Sequence, residues 1–193
     1  IEAGNLLMEN GAIKSEGTHT GSAGSVELRL ARGMTLGQAS SISVTASQAD
    51  GGDIRLTTDG RVSLVDSELT AAAAGDGGSV RLLGSGHVML TDSRVSAEAG
   101  QDGGNIEVRS PDTLVLQRSG LVANAIHGNG GNIAIAAEGY LPSLESLVSA
   151  SSEFGLEGSV EIDTPETNVG AGLSILPDNL MEGEVGIADR CAL

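Results

Sequence analysis

Tryptophan is absent from the 193-residue chain, and Tyr140 and Phe154 are its only aromatic residues apart from histidine. Most globular cores draw large buried area from aromatic rings. An interior without them has to be assembled from small aliphatic side chains in repeating layers. The single cysteine, Cys191, excludes an internal disulfide. Basic residues number 10 against 26 acidic, a formal net charge of −16. This balance opposes binding to nucleic acid, which requires basic surface to release counterions. No basic amphipathic stretch points to anionic lipid, and no run of about 20 apolar residues is long enough to span a bilayer. Nor does a charged-then-apolar leader open the chain. Ile1-Glu2-Ala3 starts in the middle of a pattern, which reads as a fragment or processed piece of something longer.

Glycine is what the chain has in quantity, 29 residues, with only 4 prolines. Together they stay below the roughly 25–30% that marks low-complexity chains. The mean hydropathy is slightly positive, too apolar for a solvated coil, so the chain is expected to fold.

A short phrase recurs: two small or polar turn residues, then apolar-x-apolar. It reads Gly24-Ser25-Val26-Glu27-Leu28, Gly52-Asp53-Ile54-Arg55-Leu56, Gly78-Ser79-Val80-Arg81-Leu82 and Gly104-Asn105-Ile106-Glu107-Val108. Gly131-Asn132-Ile133-Ala134-Ile135 and Gly158-Ser159-Val160-Glu161-Ile162 continue the series, at intervals of 28, 26, 26, 27 and 27 residues. Alternation of period two makes each phrase a short strand with one buried face. The outward positions Glu27, Arg55, Arg81, Glu107, Ala134 and Glu161 vary freely, as a solvated face does.

A second apolar phrase begins 8 residues after the first, at Met34, Val62, Val88, Leu114 and Leu141. A third follows at Ile42, Leu69, Val95, Leu121 and Val148, after 7 or 8 more. The return to the next first strand takes 11 or 12 residues through a Gly-rich stretch. Leu6, Met8 and Ile13 fit an incomplete leading turn. Two fixed offsets and one looser one describe a coil with three short strands, of which two corners are rigid. The expected fold is therefore all-β: a single-stranded parallel β-helix of about six coils, each strand paired with its own copy one coil on. Leu141-Pro142-Ser143-Leu144 places Ser143 where Leu64 and Leu90 stand, so that strand is expected to be bulged or shortened. The β-helix is assigned to residues 1–163. Residues 164–193 form a non-repetitive tail, a cap or a linker, anchored by Leu173, Ile175, Leu176 and Leu180.

The Gly-Gly-Asp-Ile and Gly-Gly-Asn-Ile phrases and the Ser-x-apolar-Ser-Ala strands resemble the large haemagglutinin-like exoproteins of two-partner secretion, of the kind common in cyanobacteria. Ser149 to Val160 looks like their last coil, and Leu173-Ser174-Ile175-Leu176-Pro177-Asp178-Asn179-Leu180 with Cys191 looks like the segment after it. The resemblance implies a right-handed β-helix that is secreted or held at the bacterial surface. It implies export through a dedicated outer-membrane translocator barrel, recognised by an N-terminal domain this stretch lacks. The function it implies is that of an adhesin stalk, a rod facing ligands on host or neighbouring cells. A single cysteine suits folding outside the cell. The chain is expected to be monomeric.

Parallel β-helices also include polysaccharide lyases and glycosidases, whose chemistry needs clustered carboxylates. The best constellation is Asp50, Asp76, Asp102 and Asn129, each before a Gly-Gly pair. Stacked about 5 Å apart by the repeat, these groups suggest either a shared calcium ion or ordinary turns. In the turn reading, each side chain bonds its own backbone and glycine supplies a positive φ. Asn105 and Asn132 occupy equivalent places and suggest a short amide ladder. His19, His87 and His127 fall in different coils without metal-ligand spacing, and Cys191 lacks a partner. Tyr140 and Phe154 are the only candidates for a sugar-stacking platform; Phe154 is expected instead to plug the helix end. No catalytic, cofactor or metal residue is assigned. The alternatives to the stalk are a β-helical carbohydrate-active enzyme and a structural matrix module.

Overall fold

A computed structural model describes residues 1–18 and 21–165. The expected tail from 166 onward, with Cys191, lies outside the described residues, as does His19.

The described chain contains fifteen strands and no helix. A leading turn contributes β1 (Glu2–Glu9) and β2 (Ala12–Gly17). The first full coil holds β3 (Val26–Gly37) and β4 (Ser41–Ala46). The second has β5 (Ile54–Thr58), β6 (Arg61–Val65) and β7 (Glu68–Ala73). The third has β8 (Ser79–Gly84), β9 (Val88–Thr91) and β10 (Arg94–Ser96). β11 (Asn105–Gln117) with β12 (Gly120–Val122), and β13 (Asn132–Pro142) with β14 (Leu147–Ser149), complete two more. β15 (Ser159–Asp163) occupies the first-strand position for the sixth time.

Every strand pairs in parallel with its counterpart one coil away. Val26, Ile54, Val80, Ile106, Ile133 and Val160 align in one column. Ile42, Leu69, Val95, Leu121 and Val148 align in another, and the leading turn joins through Leu6↔Met34 and Ile13↔Ile42. The chain is a parallel β-solenoid of about six turns, as the repeat arithmetic predicts.

First and second strands lie in one nine-stranded sheet and third strands in another of six. In three coils the expected pair of strands is a single bent one, 12 residues in β3, 13 in β11 and 11 in β13. The pairing runs through the corner, slipping between Ser110 and Thr113 of β11.

The core is a stack of aliphatic ladders. Leu28, Leu56, Leu82 and Val108 follow one another in register and are wholly buried. Burying each such side chain is worth about 1.5–3 kcal/mol. On the third strands the column Val44, Ala71, Ala97, Ala123, Ala150 shrinks to alanine after its first member. The reason lies across the interior: the amides of Gly104, Gly131 and Gly158 donate to the carbonyls of Ala97, Ala123 and Ala150 at 2.7–2.8 Å. The two backbones come so close that a Cβ built at Gly104 would stand 3.0 Å from the Ala97 methyl.

The fifth coil departs from the predicted register. Thr113 pairs with Gly139 and Leu114 with Tyr140, not with Leu141. Where β11 has Pro111 and Asp112 at the corner, β13 has only Glu138, so the constant step of eight fails by one residue. A one-residue slip reverses every side chain. Tyr140 therefore turns inward and packs against the core, Pro142 rather than Ser143 pairs with Leu116, and Leu141 is 59% exposed.

Candidate functional site

The Gly-rich corner carries the Asp50, Asp76, Asp102, Asn129 column. Asp50 Oδ1 accepts from the Asp76 amide at 3.0 Å, Asp76 Oδ1 from Asp102 at 3.3 Å, and Asp102 Oδ1 from Asn129 at 2.7 Å. Asn129 Oδ1 accepts from Leu156 at 3.3 Å. Each side chain thus caps the backbone of the next coil and not its own, which corrects the turn reading. The following glycine amides, those of Gly51, Gly77, Gly103 and Gly130, donate to the next coil's carbonyl at 2.8 Å. Among the described residues no three of His, Cys, Asp or Glu are grouped to hold a metal ion.

The second glycine of each pair has a different role from the one expected. None of these glycines takes up a positive φ. A Cβ added at Gly52, Gly78, Gly104, Gly131 or Gly158 would fall onto the carbonyl oxygen of the equivalent glycine one coil earlier. Close approach between coils is what requires glycine.

Next to this corner, Asn132 Nδ2 donates to Asn105 Oδ1 at 2.9 Å, forming the expected amide ladder, and Ser159 Oγ extends it to Asn132 Oδ1 at 2.7 Å. On the outward face Arg81 lies between carboxylates of the two neighbouring coils, 3.8 Å from Asp53 Oδ2 and 3.4 Å from Glu107 Oε2.

A serine corner was not anticipated. The Ser67 amide donates to Ser93 Oγ at 3.1 Å, Ser93 to Ser119 Oγ at 3.1 Å and Ser119 to Ser146 Oγ at 3.3 Å. The hydroxyls of Ser67, Ser93 and Ser119 donate in turn to Val65, Thr91 and Gln117 carbonyls. The residue before Ser40, Ser67, Ser93 and Ser119 is left-handed, with φ of 59° at Ala39, 48° at Asp66, 49° at Asp92 and 47° at Arg118. Serine stands two residues before every third-strand apolar residue from Ile42 to Val148, and that fixed offset was the available signal.

Two members of this corner form a forked ion pair across coils, with Arg118 Nε and Nη2 each 2.6 Å from an Asp92 carboxylate oxygen. The Arg118 hydrogen bond lowers the Asp92 pKa below the usual aspartate range. A carboxylate depressed in the folded state adds stability above its unfolded pKa and loses it as pH falls through the folded value. Both groups are exposed, so the effect is small and screened by salt. The denaturation midpoint of the chain should exceed that of Arg118→Gln at neutral pH. The gap should close as pH falls through about 4 and below.

His87 Nε2 lies 3.7 Å from Asp112 Oδ2. His127 stacks on Phe154 with ring centroids 5.6 Å apart and an angle of 16° between the planes. Phe154 is 68% exposed, so it decorates the outside of the Gly-rich corner and does not plug the end. Beside this pair runs a groove of about 590 Å³ lined by Ala73, Ala99, Ala125, Ile126 and His127 among others. Its lining residues Ala73, Ala99 and Ala125 are joined by single parallel bridges, a column that Ser152 continues. Tyr140, the other aromatic candidate, is half-buried and packs against the core, where burial raises its pKa. The chain matches no family model, no curated protein and no solved structure.

Proposed function

We propose that this chain is a non-catalytic stalk segment of a haemagglutinin-like surface protein exported by two-partner secretion. It acts as a stiff spacer that carries adhesive regions away from the cell. The family resemblance of the repeat phrases supports the export route. The observation that carries the mechanical role is the direction in which polar groups are satisfied. Three corner ladders of Asx, Asn and Ser side chains bond from one coil to the next, in parallel with the strand hydrogen bonds. No buried side-chain nitrogen or oxygen among the described residues lacks a partner. Load along the axis is then shared at every boundary between coils by backbone and side chain together. Many exposed acidic groups keep such a rod solvated and discourage non-specific association.

Antibodies raised against the folded chain should label intact producing cells. Labelling that appears only after permeabilisation would rule out surface export. Acidic and neutral polysaccharides incubated with the chain should remain uncut. Turnover abolished by Asp76→Asn or Asp102→Asn would replace the stalk with an enzyme.

A further inference from the structure

Asparagine followed by glycine is the dipeptide most prone to spontaneous deamidation, because glycine has no side chain to hinder attack by its own amide nitrogen. The chain contains two, Asn10-Gly11 and Asn129-Gly130. Both asparagines are exposed, so exposure does not distinguish them. The hydrogen bonding of the attacking nitrogen does.

The Gly130 amide donates to the Leu156 carbonyl at 2.8 Å, and Asn129 Oδ1 accepts from the Leu156 amide at 3.3 Å. Nucleophile and electrophile are both tied to the next coil. The Gly11 amide donates to Ser40 Oγ at 3.3 Å, a longer bond, and one to a side chain, than the 2.8 Å backbone bond of Gly130. Ser40 Oγ in turn shares its one proton between the Gly37 and Met8 carbonyls, 2.6 and 3.1 Å away. Asn10 itself has a φ of 51° at the corner between β1 and β2, and its side chain makes no hydrogen bond among the described residues.

We infer that Asn10 is a deamidation site of the folded protein and that stacking of the coils protects Asn129. In the reaction the Gly11 nitrogen loses its proton and bonds to the Asn10 side-chain carbonyl carbon. The bond from that carbon to the side-chain nitrogen breaks, and ammonia leaves. Water then opens the cyclic imide at either carbonyl, leaving aspartate or isoaspartate. One water is consumed, one ammonia is released, and nothing is oxidised or reduced. Reaction at Asn129 requires the Gly130–Leu156 bond to open first, so its rate follows the local opening equilibrium.

The inference is independent of the stalk reading. The whole chain is held at mildly alkaline pH, native or in urea, and residues 10 and 129 are followed by peptide mapping with isoaspartate detection. In the native chain Asn10 should convert at least about tenfold faster than Asn129, and in urea the two rates should converge. Equal rates in the native chain, or an Asn10 that stays intact while the urea-unfolded chain converts, would overturn it.

Discussion

Gly78→Ala is expected to cost the chain about 3 kcal/mol, the upper end of what overpacking a tight interior exacts. Its new methyl would fall onto the Gly52 carbonyl oxygen, with the Gly52 carbonyl carbon at 2.9 Å and its nitrogen at 3.2 Å. All three are backbone atoms of a coil already paired on both sides, so none can swing away. Gly78→Asn should be no better tolerated, although asparagine accepts left-handed backbone more readily than other residues. A milder effect for asparagine than for alanine would mean that conformation, not space, selects glycine here. Gly37→Ala is the control: a Cβ there meets no atom within 4 Å, and its stability should change by no more than about 0.5 kcal/mol. Urea midpoints of the three variants against the parent decide the matter.

Leu82→Ala should cost about 2–5 kcal/mol, the range for opening a cavity in a packed core. Leu82 is wholly buried between Leu56 below and Val108 above, and its ladder has no slack through which neighbours could close the gap. Leu82→Ile keeps the volume and should cost under about 1.5 kcal/mol. Ile162 occupies the same column three coils on but is 43% exposed, so Ile162→Ala should cost much less. Equal losses at Leu82 and Ile162 in denaturant titrations would contradict this ordering of the ladder.

The coil was legible because parallel stacking forces equivalent residues into one column, so a spacing in sequence becomes a spacing in space. Columns headed by Val26 and Ile42 could be read residue by residue. The fifth-coil corner could not. Counting eight residues from Ile133 leads to Leu141, and only the local loss of one corner residue reveals Tyr140 as the inward side chain. Hydrophobicity gave no warning, since leucine is the better core residue of the two. The Asx column was found, but its bonding partner was misplaced. Turn chemistry is local, and a contact 26 residues away is invisible until the coil is closed. The serine corner was missed for a related reason. A small polar residue near a turn looks like solvent-facing punctuation, whereas Ser67, Ser93 and Ser119 are buried hydrogen-bond relays. Glycine was assigned to backbone conformation when crowding from the preceding coil was the cause.

The Asx and serine ladders run in opposite senses. At the Gly-rich corner the earlier coil supplies the acceptor, as Asp50 does for the Asp76 amide. At the serine corner the later coil supplies it, as Ser93 does for the Ser67 amide. A polypeptide winding up from its amino end therefore meets a prepared seat at one corner, while at the other each turn stays unlatched until its successor arrives. Assembly from that end resembles a ratchet: every new turn is guided by the one before it and locks that one in place.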